Sequence, residues 1–75
     1  MIKVLFFGVI AEKLRRHDMV LPVKAGMTIA DVVHAAGCED FKPLLVAVNQ
    51  DQVNNLNTPV KAGDEVAVMP PFSGG

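Results

Sequence analysis

The clearest chemical signal lies in the run Pro70-Pro71-Phe72-Ser73-Gly74-Gly75. It joins a stiff proline pair and one aromatic to three small residues and a terminal carboxylate. Proline fixes φ and holds an extended path off a preceding strand. Glycines bring no side chain to obstruct a narrow passage. The carboxylate of Gly75 is therefore an unhindered acyl group, suited to acyl chemistry inside a partner enzyme's active site. The bland alternative is an ordinary frayed terminus. Placement directly after Pro-Pro-Phe favours the functional reading, with Phe72, Ser73, Gly74 and Gly75 threaded into the partner and Gly75 as the reacting residue.

The remaining reactive side chains argue against catalysis by this chain alone. Cys38, His17 and His34 have no ligand spacing for a metal, so no metal site is expected. Glu39 and Asp40 follow Cys38 and are expected to raise its pKa and leave it inert. His17 and His34 read as solvated polar residues. Arg15-Arg16 is expected to close a helix C-terminus, with pairing to an acidic partner surface as the lesser reading. Lys61 reads as a turn lysine, and Asp64-Glu65 as a charged sheet edge that discourages strand pairing. There is no carboxylate pair, no Ser/His or Cys/His arrangement and no phosphate-binding loop.

These groups must be positioned by one small domain of 75 residues. A hydrophobic share of 51% excludes the composition of disordered chains. No run approaches the ~20 apolar residues of a membrane-spanning helix, and no signal peptide is visible at the start. A formal charge of -1 disfavours nucleic acid as a partner. A single cysteine cannot form an internal disulfide, which fits a reducing, cytoplasmic setting.

Alternation predicts a strand over residues 2–9, with Ile2, Val4 and Phe6 on one face and Lys3, Leu5 and Phe7 on the other. Both faces become apolar after Lys3. This suggests a central strand with Leu5 in the core, while Phe7 is assigned to an interface. A short helix is expected over 10–16 and an edge strand over 18–23, demoted by Pro22. Thr28 and Asp31 signal the start of the main helix. Its apolar stripe is Ile29, Val32, Val33 and Ala36, and Gly37 follows its end. Strands are expected over 44–49 and 65–69, with a turn at 49–52 and a brief return strand from Val53. The pattern is α+β: four or five strands with one main helix and one short extra helix.

At this point the chain resembles the small-subunit family of molybdopterin synthase, ubiquitin-like sulfur carriers of β-grasp fold. The resemblance rests on residues 1–7 (MIKVLFF), Ala47-Val48-Asn49-Gln50, Gly63-Asp64-Glu65-Val66-Ala67 and the C-terminal Pro70-Pro71-Phe72-Ser73-Gly74-Gly75. It implies a single β-grasp domain over residues 1–75, with a flexible Gly-Gly tail from about residue 70. It implies further that an E1-like enzyme adenylates Gly75 with ATP and that sulfur from a persulfide donor protein converts it to a thiocarboxylate. The synthase large subunit then uses that sulfur on a pterin precursor. The chain itself binds no cofactor and supplies no catalytic side chain. Phe7, Met69, Pro70, Pro71 and Phe72 are the expected partner-binding residues. A carrier for thiazole or another sulfur-containing metabolite is the alternative, and a non-covalent binding module the alternative of a different class. Met69 stands where relatives tend to have an aromatic, Phe72 where they often have a β-branched residue, and Arg15-Arg16 where they often have glycine.

Overall fold

In the computed structural model, residues 1–41 and 44–71 are described. Five strands form one mixed sheet: β1 (Ile2–Phe6), β2 (Asp18–Leu21), β3 (Leu45–Val48), β4 (Asp51–Val53) and β5 (Glu65–Met69), in the order β2-β1-β5-β3-β4. β1 runs parallel to β5 and antiparallel to β2, and β3 is antiparallel to both β5 and β4. Helix α1 (Gly8–Leu14) follows β1, and helix α2 (Ile29–Ala35) follows β2. A single 3₁₀ turn, Glu39–Phe41, comes before β3.

The core follows from the alternation. Ile2, Val4 and Phe6 of β1, Val66 and Val68 of β5, and Val46 of β3 all turn inward and are buried. They meet Ile10 and Ala11 of α1, and Ile29, Val32, Val33 and Ala36 from α2 and its cap. Fully burying a side chain such as Phe6 or Ile29 contributes about 1.5–3 kcal/mol. Helix α2 starts where its sequence says it should. The Thr28 side chain accepts from Asp31 N–H, and the Asp31 carboxylate accepts from Thr28 N–H at 2.9 Å. These bonds satisfy two amide donors that a helix N-terminus otherwise leaves orphaned.

Several expectations need correction. β1 ends at Phe6 rather than at residue 9, because Gly8 takes φ +58° and turns the chain. Helix α1 accordingly occupies Gly8–Leu14 instead of 10–16. Arg15 ends it in the left-handed region at φ 56°, with the amides of both Arg15 and Arg16 donating to Ala11 O. β1 has neighbours on both sides, but the middle strand is β5. β2 is an edge strand as expected and stops before Pro22. β4 begins at Asp51, since a two-residue turn at Asn49 and Gln50, both with positive φ, closes the hairpin. This is the twist-matched geometry of tight hairpins.

Candidate functional site

The sheet covers its helices with one face and leaves the other open. Residues directly opposite in a ladder share a face. The pairs Leu5↔Ala67, Ala47↔Ala67 and Leu45↔Met69 therefore set an apolar cross-strand row on the outer face. Leu5, Leu45, Ala67 and Met69 are half-buried, and none belongs to the core cluster. Placement of Leu5 in the core is thus overturned. Its neighbours Val4 and Phe6 fill the interior, and strict alternation sends Leu5 outward.

Phe7 continues this apolar surface at the end of β1 and is 45% exposed. Its amide donates to Val68 O at 3.2 Å, which ties it to the last residues of β5. Val9, 46% exposed, lies two residues further on. Met69, Pro70 and Pro71 are half-buried at the same end, where the chain leaves the sheet. A Cβ built on Gly8 meets Pro70 Cγ at 3.0 Å, so the turn after β1 is pressed against the first proline. Of the expected site residues, Phe7, Met69, Pro70 and Pro71 are thereby brought to one end of the sheet. Phe72, Ser73, Gly74 and Gly75 lie outside the described residues.

Leu5, Leu45, Ala67, Val9 and Gly8 were not among the expected site residues. A signal for Leu5 was present in the alternation of β1. Leu45 and Ala67 could be assigned only once β3 and β5 were known to be neighbours in a given register. For Gly8, the contact with Pro70 spans most of the chain and leaves no local mark.

Asp64 anchors the other end of the site strand. It is 6% exposed; its carboxylate accepts from Asn49 Nδ2 at 3.0 Å and from Lys61 N–H at 2.9 Å. The Lys61 N–H first and the Asn49 amide second hold its pKa below the ordinary carboxylate value, while burial opposes them. Asn49 also accepts from Glu65 N–H at 3.0 Å and donates its own amide to Glu65 O at 2.8 Å. The expectation of Asp64-Glu65 as an edge guard is therefore wrong. β5 is the middle strand, and Asp64 with Asn49 clasps it to the β3–β4 hairpin.

The other polar candidates are dispersed. Cys38 is fully buried, its Sγ 3.9 Å from Ala36 O. Its pKa is raised, and the cause is burial rather than the acidic neighbours. His34 is exposed and paired with Glu39 at 2.6 Å, and His17 is exposed. Lys61 is exposed in its turn. Among the described residues no three His, Cys, Asp or Glu side chains converge to hold a metal ion. A cleft of about 510 Å³ lies between the end of β2 and α2, lined by Leu21, Lys24, Met27, Asp31 and His34 among others. Asp31 there is committed to the helix cap and His34 to Glu39, so no catalytic constellation forms. Among the described residues no helix is long and apolar enough to cross a membrane.

What the arrangement can do chemically is dock: an open apolar sheet face adjoins the point where the chain leaves for Gly74-Gly75. Comparison with solved structures bears on this geometry. Small archaeal modifier protein 1 of Haloferax volcanii is 25% identical with a TM-score of 0.77, over 99% of this chain and 98% of that one. A Pyrococcus furiosus putative molybdopterin converting factor, subunit 1, is 22% identical with a TM-score of 0.78, covering 95% and 97%. A match also comes from the Helicobacter pylori complex of subunits 1 and 2 of molybdopterin-converting factor: 28% identity, TM-score 0.63, covering 99% and 97%. No curated protein sequence matches the chain. The model of the ThiS family matches residues 4–75. With its β-grasp sheet and that match over nearly its whole length, the chain belongs to the ThiS family of ubiquitin-like sulfur carriers.

Proposed function

We propose that this chain is the sulfur-carrying small subunit of a molybdopterin synthase. One observation carries the reading: the apolar row Leu5, Ala67, Ala47, Leu45 and Met69, with Phe7, runs to the strand end at Met69-Pro70-Pro71, just ahead of Gly74-Gly75. Ala47 is buried and Leu5, Leu45, Ala67 and Met69 are half-buried, but Phe7 is 45% exposed, and apolar surface left open to solvent on a small domain suits a partner site. Support comes from the Helicobacter pylori complex of subunits 1 and 2 of molybdopterin-converting factor, one chain of which is 28% identical to this one.

In this reading Gly75 is the reacting residue, and Phe72, Ser73 and Gly74 lead it into the partner. An adenylating enzyme joins the Gly75 carboxylate to AMP from ATP and releases pyrophosphate. Sulfide sulfur then attacks the acyl carbon and expels AMP, leaving a thiocarboxylate. When a persulfide protein is the donor, the acyl disulfide first formed must be reduced by a thiol. In the large subunit the thiocarboxylate gives its sulfur to the pterin precursor and returns, with oxygen from water, to the carboxylate. The apolar face and Pro70-Pro71 contribute docking and direction, which turn an intermolecular attack into a positioned one. The chain binds no cofactor, since ATP is bound and spent by the activating partner. A reducing cytoplasm keeps both the thiocarboxylate and the lone Cys38 intact.

The test is intact-protein mass spectrometry after incubation with ATP, sulfide and the adenylating enzyme of the same organism, followed by addition of the large subunit and pterin precursor. The expected result is one oxygen replaced by one sulfur at Gly75, reversed as molybdopterin forms. An unmodified Gly75, with the enzyme shown active on another carrier, overturns the reading. Loading without reversal overturns the pterin destination alone.

A further inference from the structure

We infer that Lys13, Arg15 and Arg16 form a cationic rim beside the docking face, which pairs with an acidic strip on the large subunit that receives the tail. This rests on the carrier reading above and names a part of the partner's surface that the apolar face does not specify.

Three of the chain's seven cations fall within four residues, and all three side chains are exposed. Glu12 and Asp18 flank the cluster, yet among the described residues the ion pair within 4.0 Å is His34–Glu39, far along the chain. Lys13, Arg15 and Arg16 thus make no ion pair with any described carboxylate. Among the described residues the Arg16 guanidinium donates one weak hydrogen bond, to Met19 Sδ at 3.9 Å. Arg15 is held at φ 56°, in the left-handed region that a non-glycine residue occupies at a cost. A glycine would close α1 there with less strain. An outlier of that kind is a reason to look for a use of the side chain.

The placement supplies the use. His17 O, directly after the arginines, accepts from Phe6 N–H at 2.9 Å, and Phe7 N–H donates to Val68 O. The loop carrying the arginines therefore sits at the same end of the sheet as Phe7, Met69 and Pro70. By contrast Asp64 and Glu65 open β5 at the opposite end, opposite Lys3. Positive charge at this end attracts an acidic partner surface and orients the encounter so that Phe7, Met69 and Pro70 face the partner first. A nucleic acid is a poor occupant, since the remaining four cations are scattered among eight acids.

The experiment measures association of the full chain with the purified large subunit of the same organism, by stopped flow at 50 and 500 mM NaCl. The double variant Arg15→Gly with Arg16→Ser is compared with wild type and with Arg15→Lys, Arg16→Lys. The double variant is expected to associate about tenfold more slowly at low salt, with the difference closing at high salt. Its melting temperature is expected to stay level or rise by up to about 5 °C, because the left-handed strain is relieved. The lysine variant should keep most of the rate, since steering acts on charge. Equal rates and equal salt dependence in wild type and double variant overturn the rim. A slower rate that is independent of salt, with a lower melting temperature, also overturns it, as the arginines would then be structural. Wild type that fails to bind the large subunit at all overturns the carrier reading, and the rim with it.

Discussion

Asp64 illustrates how a residue's role depends on partners distant in sequence. Beside Glu65 in the sequence it reads as a charged edge, but Asn49 and Lys61 convert it into a buried anchor of the middle strand. Hydrogen bonds to a charged group contribute about 1.5–3 kcal/mol. Asp64→Asn places an amide donor against the Lys61 N–H, so it should destabilise the fold by roughly 1–3 kcal/mol at pH 7, measured by urea unfolding. The pH dependence has a definite sign. Because the folded-state pKa is lowered, the stabilisation is complete above the unfolded value of about 3.9 and is lost as pH falls through the folded value. The gap between wild type and variant should therefore narrow below about pH 4. A gap that persists unchanged to pH 2 contradicts this account. Cys38 makes a related point: its raised pKa was legible from the sequence, but for the wrong cause, since burial and not neighbouring charge raises it.

At the scale of elements, α2 was legible almost in full. Its capping box, its apolar stripe and the glycine after its end are all local signals, and each is found in place. The boundary between β1 and α1 was not, because Gly8 acts through Pro70, more than sixty residues away. Gly8→Ala faces both a left-handed φ and a Cβ position 3.0 Å from Pro70 Cγ. Gly26 has φ +75° with nothing within 4 Å of its Cβ position, so Gly26→Ala meets the strain alone. Gly26→Ala should cost about 1 kcal/mol and Gly8→Ala about 1–2 kcal/mol more. In a domain of this size that total of about 2–3 kcal/mol should lower the Gly8→Ala melting temperature by roughly 8–24 °C. Equal melting temperatures for the two variants in a thermal scan would show that the Pro70 contact carries no weight.

For the whole molecule, the sheet divides into a packed face and an open apolar face, and the proposed docking is tested on the open one. Phe7→Glu and Leu5→Glu each place a charge on the open face. Each should weaken binding of the large subunit at least about 30-fold, in the range of an interface anchor near 2 kcal/mol, read by isothermal titration. The free chain's melting temperature should change by only a few degrees, because neither side chain belongs to the core cluster. Unfolding of the free Leu5→Glu chain would return Leu5 to the interior. The sequence by itself determined the α+β class, the main helix, the strand-breaking prolines and the Gly-Gly signature, since periodicity, capping and backbone chemistry act over a few residues. It also carried the likeness to sulfur carriers that the family match confirms. Only the tertiary structure decided that β5 is the middle strand, that Leu5 joins Ala67 and Met69 outside, and that Gly8 packs on Pro70. Those facts are set by the register of strands far apart in the chain. Local propensity carries no information about register until the hydrophobic faces of all five strands are buried together.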